Sequence, residues 1–282
     1  MIVVPFQTFT AMKCGLPLLL LLPLLTTQCA SHRSSEGVPV VHAVRIGKTG
    51  FGANDLCHFV SVTNGVVDAG TTAPDGDADL CYRFGCVYDD TVLHVTVLVQ
   101  DDERCTDTCP TGAVSCAAWD DDAVEIFIDG EFARLPDSRA DGGVHLRHGG
   151  EFAMVANGAA NSDYSGYPRT FLPLNPLGEL EKSLLAKTER ETSGNAWWSG
   201  FAKPWNANPT EKSPSPSATL YRFTIPWSAM GRTNRPDRIG FNIGVQDDDG
   251  GGGRDHALYW TGNPQHPFSD ESAFGILVFD DL

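Results

Sequence analysis

Positive charge is scarce in this chain. Only 20 Lys and Arg stand against 36 Asp and Glu, giving a formal net charge of −16 over 282 residues. That balance excludes nucleic acid as a ligand, because phosphates are held by Lys and Arg. It also excludes a polybasic membrane patch, and leaves neutral ligands and cations. Helical periodicity is nearly absent, with Leu177 to Arg190 the one fair candidate. There is no internal repeat. No Ser–His–Asp set, P-loop or HExxH motif appears, so no enzyme signature is present. A pair of carboxylates suited to glycoside hydrolysis could arise by chance in so acidic a chain. The apolar run from Leu16 to Leu25 is too short and too Pro-broken to span a bilayer.

What is present begins with that run. Lys13 precedes it and the small polar stretch Thr26 to Ser31 follows it, the layout of a secretory signal peptide over residues 1–31. Met12 is a plausible start, and Cys29 is the candidate for a lipid anchor. The protein is therefore expected to be exported, either secreted or held at the cell envelope through lipid. Residues 32–56 read as a polar tether and a first strand. Six cysteines follow Cys29, namely Cys57, Cys81, Cys86, Cys105, Cys109 and Cys116. An even number in an exported chain reads as up to three disulfides, with fifteen pairings open. Zinc is the rival, from the Cys105-x3-Cys109 spacing, but no His-rich partner follows.

The apolar fraction of 41% supports a core, and 29 Gly with 18 Pro indicates many turns. Strand patterns lie at Val92 to Val99, Ala123 to Ile128, Glu151 to Ala156, Leu220 to Ile225, Ile239 to Val245, Ala257 to Trp260 and Phe274 to Phe279. Many strands and little helix imply an all-β sandwich. Residues 159–218 read as a long loop insertion, rich in Asn, Ser, Pro and Gly. It carries Trp197, Trp198 and Trp205, and ends in the Pro-rich run Lys212 to Ser217.

Trp119 to Gly130, WDDDAVEIFIDG, is the most informative segment. Glu125 alternates with the apolar Val124 and Ile126, so it projects from the opposite face of the strand. With Trp119 upstream, a ring and a carboxylate would share one exposed sheet surface. Sugars suit such a surface, since their C–H faces stack on rings and their hydroxyls need polar partners.

Several pieces resemble, in the same order, the family 9 carbohydrate-binding modules, which are jelly-roll β-sandwiches. They are Tyr88 to Val95, Val99 to Asp102, Trp119 with Asp122 to Asp129, Tyr221 to Trp227, Ile239 to Asp249, and Trp260 followed by Phe274 to Leu277. The resemblance covers roughly residues 80–282, within a module expected over 57–282. In the family, two rings sandwich a terminal sugar. By motif position Trp119 resembles the first ring. Phe268 resembles the second, where the family places a Trp. Glu125 matches the sugar-binding carboxylate, Arg147 resembles the binding arginine, and Gln265 sits near a sugar-contacting asparagine. Gly244 stands where a binding glutamine can occur, and Gln246 points the same way along that strand.

The resemblance also implies structural calcium. The acidic, Gly-rich turn after Ile239 to Val245 supplies carboxylates and carbonyls without the EF-hand spacing. Asp247 and Asp249 are the expected Ca²⁺ ligands, and Asp120 to Asp122 form a second acidic run. The implied function is non-catalytic binding of oligo- or polysaccharide ends of the xylan or cellulose type. No second domain is read, so a targeting role needs a partner such as a secreted glycoside hydrolase, or the cell surface itself. Two alternatives stand beside it. One is a structural or interaction sandwich with a decayed sugar site. The other is a haem-binding relative using Met154 with His145, His148 or His256, although no CxxCH motif is present.

Overall fold

The computed structural model describes residues 32–33, 37–46, 59–111, 113, 116–136, 150–161, 199–205, 217–227, 232 and 234–279. The leader at 1–31, Cys29, Cys57, Arg147, His145, His148, the helix candidate 177–190, Trp197 and Trp198 lie outside them. Alternating sequence makes fourteen strands. They are β1 (His32–Arg33), β2 (Pro39–Arg45), β3 (Val60–Val62), β4 (Val66–Val67), β5 (Leu80–Tyr88), β6 (Val92–Asp101) and β7 (Ala123–Asp129). Then come β8 (Gly150–Val155), β9 (Ala160–Asn161), β10 (Ser199–Trp205), β11 (Ser217–Pro226), β12 (Arg238–Asp247), β13 (His256–Tyr259) and β14 (Gly275–Phe279). Among the described residues no helix is long and apolar enough to cross a membrane.

The strands form two layers. One runs β10-β11-β6-β5, with β3 beside β5. The other runs β14-β12-β7-β8-β9, with β13 beside β12 and β4 beside β13. Strand β2 is the seam. It pairs in parallel with β14 from Val40 to Ala43, then with β5 at Val44 and Arg45. The period-2 pattern turns one set of side chains into the space between the layers. Tyr82 and Phe84 of β5, Val95 and Val97 of β6 and Phe223 of β11 meet Val124, Ile126, Phe152, Phe241 and Ile243 there. Trp260 stands edge-on to Phe84 at 5.2 Å. Gly275 makes room for Trp260, since a Cβ there would lie 2.2 Å from its ring.

The expected all-β sandwich is what forms, and all seven strand patterns read above are strands. A strand within residues 32–56 is β2, Pro39–Arg45, of which Val40, Val41 and Ala43 are buried. Two differences matter. The stretch around Cys81 holds β5, which pairs with β6 along its whole length. The region 159–218 is not all loop, because β10 pairs β11 from Ser199↔Thr224 to Trp205↔Ala218.

The cysteine expectation is also corrected. Cys109 and Cys116 are bonded to each other, while Cys81, Cys86 and Cys105 carry free thiols. Cys81 and Cys86 stand five positions apart on β5, so they face opposite sides and cannot meet. Cys86 is a core residue, and burial pushes its thiol well up.

The layers are also joined by a hydrogen bond. Tyr82 donates its phenol proton to the carbonyl of Ile243, 3.0 Å away. Tyr82→Phe is expected to lower stability by about 1 kcal/mol, since that carbonyl keeps its bond from the Trp260 amide. Phe84→Ala, which empties a fully buried site, should cost about 3–5 kcal/mol. Denaturant unfolding of both variants checks the contrast.

Candidate functional site

The outward face of the β8-β7-β12-β13 layer is covered, so its residues are buried although they point away from the core. Pairing places Ala153, Glu125, Gly244 and Tyr259 in one row across four strands. The next row is Val155, Ala123, Gln246 and Ala257. At one side Ala123, Ala153 and Val155 pack beneath the loop closed by the Cys109–Cys116 bond. At the other Phe127, Tyr259 and Phe274 cluster, with Val66 and Phe268 packed against them.

Glu125 lies between these apolar patches, 3% exposed. The expectation of a carboxylate on an open surface is therefore corrected, because the stapled loop and the aromatic cluster close over its neighbours. Gln246 holds it. The amide Nε2 donates to Glu125 Oε2 at 2.6 Å and to the Tyr259 hydroxyl at 3.1 Å. Arg254 Nη1 donates to Gln246 Oε1 at 2.8 Å, and its Nη2 to Asp68 Oδ2 at 3.0 Å. A guanidinium has only donors, so it fixes which end of the amide faces it. The free NH₂ must then turn to Glu125 and Tyr259. Burial first, and then the nearby Glu125 carboxylate, push the Tyr259 phenol well up, so it stays neutral.

Gly244 has a steric reason. A Cβ would lie 2.5 Å from the Tyr259 ring. No glutamine fits at 244 while that ring is in place, and Gln246, one row along, supplies the amide instead. Tyr259 and Arg254 were not among the residues singled out in the sequence. An aromatic at a strand end and an arginine after four glycines carry no signal of their own.

Phe268 is half-buried beside Tyr259 in the aromatic cluster. Trp119 is half-buried in a short 3-10 turn, Ala118–Asp120, leading into β7. Gln265 is exposed in a turn where its amide donates to Asn263. Among the described residues no hydrogen bond or ring contact joins Trp119 or the Gln265 side chain to the Glu125 network. Met154 is a core side chain facing between the layers, and His256 stands among carboxylates, so these two do not form a haem axial pair.

A second centre lies where β6, β7 and β12 end. Ligand atoms of Asp101, Asp122 and Asp247 lie within 4.8 Å of one another, as do those of Asp101, Asp102 and Asp249. So do those of Asp79, Asp247, Asp249 and His256. Neighbouring acids have other work. Asp121 accepts the amides of Thr108 and Cys109, and Asp248 Oδ1 accepts that of Gly251 at 2.7 Å. Asp247 is 1% exposed, and neither of its carboxylate oxygens has a hydrogen-bond partner. Asp249 Oδ1 is likewise buried and unpartnered. Burial first, and then neighbouring aspartates, push Asp101, Asp122 and Asp247 up to about 8. Densely negative and short of donors, the two all-aspartate groups fit a hard divalent cation. Asp247 belongs to one and Asp249 to the other. The spacing of Cys105 and Cys109 does not make a zinc site, because Cys109 is disulfide-bonded. Burial first, and then Asp248, push the Cys105 thiol up to about 12.

A family model described as carbohydrate family 9 binding domain-like matches residues 62–135 and 215–282. Similar in structure is a family 9 carbohydrate-binding module from Caldicellulosiruptor kristjanssonii in complex with glucose. It has 12% identity and a TM-score of 0.51, over 86% of this chain and 95% of that one. A proposed carbohydrate-binding protein from Bacteroides uniformis has 12% identity and a TM-score of 0.50, over 86% and 99%. At such identities the likeness is one of fold. No curated protein matches the chain.

The raised carboxylates predict a pH dependence. In the folded state they titrate at about 8, above the ordinary aspartate value of 3.8, so in that window the folded state binds more protons than the unfolded. Stability of the chelated protein should therefore fall as pH rises from about 4 to about 8. Millimolar Ca²⁺ should restore most of the loss at the upper end. Melting temperatures at pH 5 and 8, with chelator and with calcium, check both statements.

Proposed function

Because the chain belongs to the carbohydrate family 9 binding domain-like family, we propose that it is a non-catalytic module that binds the ends of xylan- or cellulose-type glycans. The observation that carries this reading is the Gln246–Glu125 hydrogen bond, locked by Arg254 on the outward sheet face. A carboxylate held in one orientation accepts sugar hydroxyls without first having to order itself. Trp119 and Phe268 supply rings for stacking, and Arg147 and Gln265 supply further polar contacts. The similar module from C. kristjanssonii was captured with glucose, which supports testing glucose-based sugars first. Asp247 and Asp249, with Asp101 and Asp122, hold a structural Ca²⁺. The leader supports export, followed by release or by anchoring through Cys29. A secreted glycoside hydrolase is the partner class that a targeting role would require.

A second reading rests on burial. Glu125 is 3% exposed, Gln246 1% and Tyr259 0%. On this reading the network is a strut inside an interaction or structural sandwich, whose sugar site has closed over.

Calorimetric titration of the purified protein in calcium separates the two. Cello- and xylo-oligosaccharides should give saturable binding that Trp119→Ala abolishes. Glu125→Gln should weaken it about tenfold, the loss of one charge-assisted hydrogen bond of about 1.4 kcal/mol. No heat with any sugar, from a folded protein, favours the strut.

A further inference from the structure

The acidic centre holds more negative charge than one divalent ion can neutralise. Six aspartates (Asp79, Asp101, Asp102, Asp122, Asp247 and Asp249) share ligand positions in its three overlapping groups. One of those groups differs in kind, since it includes His256. We propose that this group is a second cation site, adjoining the all-oxygen one, and that it takes a zinc-type divalent ion through Asp79, Asp247, Asp249 and His256.

The imidazole is oriented for that role. An isolated bridge between Thr72 and His256 brings the Thr72 carbonyl to 3.1 Å from His256 Nδ1. A carbonyl only accepts, so this contact is a hydrogen bond only when Nδ1 carries the proton. The Thr72 hydroxyl stands 3.0 Å from the same nitrogen. In the neutral ring the lone pair is then on Nε2. That nitrogen lies 3.7 Å from Asp79 Oδ2 and 3.7 Å from Asp249 Oδ2. A backbone carbonyl fixing the far nitrogen is the usual support of a metal-binding histidine. Ligands around an ion with 2.0–2.1 Å bonds stand about 3.3 Å apart, so a small contraction closes the set. Imidazole among carboxylates suits zinc better than calcium, which prefers oxygen alone.

Asp247 links the two sites. It belongs both to the His256 group and to the Asp101–Asp122 group, and both its oxygens are buried and unpartnered. One carboxylate can therefore bridge, giving an oxygen to each ion.

This inference extends the calcium reading but does not require it. The test uses untagged full-length protein, stripped with chelator and then saturated with Ca²⁺. Zinc is titrated calorimetrically, and bound metals are counted by mass spectrometry. The expected result is one equivalent of Zn²⁺ alongside retained calcium. His256→Gln and Asp79→Asn should each weaken zinc about tenfold or more, leaving calcium content unchanged. On the unsubstituted protein, nitrogen NMR of the histidine rings should show one Nε2 signal moving on zinc addition and Nδ1 staying protonated. That readout holds even where a variant folds poorly. Zinc bound without calcium would remove the calcium reading and leave the proposal standing. No zinc uptake, or uptake unaffected by His256→Gln with no ring nitrogen shifted, overturns it.

Discussion

Buried like charge is the constraint around which the rest of this molecule is arranged. Three of the four strands that make the middle of the sandwich, β6, β7 and β12, carry aspartates to a common end, and a fourth group arrives from the turn before β5. Withdrawing even one unpaired carboxylate from water costs several kcal/mol. A β-sandwich whose apolar interior is otherwise continuous has no need of such a feature for packing. The geometry is intelligible once positive charge is supplied from outside the chain. The loops between the strands are tied down by aspartates in and beside that centre, since backbone amides donate to Asp121, Asp122 and Asp248.

A second polar system runs along the outward face and follows a different logic. Here a positive charge is supplied within the protein, because Arg254 stands between Gln246 and Asp68, and Gln246 between Arg254 and Glu125. Arg254 and Asp247 lie at opposite ends of one Gly-rich turn. The backbone bond from Asp255 to the Asp247 carbonyl ties the two ends together at 2.8 Å. A few residues of one turn thus separate the acidic centre from the guanidinium that sets the orientation of Gln246.

Much of this was legible in the sequence, and what was not has physical causes. Alternation revealed the face of β7 on which Glu125 lies, because period 2 is a local property. It did not reveal burial, which depends on the preceding loop folding back over the sheet under its Cys109–Cys116 bond and on Phe274, distant in sequence. Asp247 and Asp249 were legible from a Gly-rich acidic turn. That Asp79 and His256 lie beside them was not, since their approach depends on how the turn before β5 and the start of β13 pack together. Cysteine parity suggested a framework of disulfides. A strand direction that sends Cys81 and Cys86 to opposite faces overrides parity. A first strand was read within residues 32–56, but not its place as the seam between the layers, which rests on pairing with strands far along the chain.

The seam at β2 carries a consequence for how the chain reaches this state. Val40 pairs with Ile276 and Ala43 with Phe279, so the first long strand is completed by the last. A chain that has not yet made β14 has no partner for β2 on that side, and that edge stays open. The closing pair joins strands widely separated in sequence, the kind of contact that makes β proteins slow to fold. Until it forms, β2 presents unpaired backbone that another strand could claim.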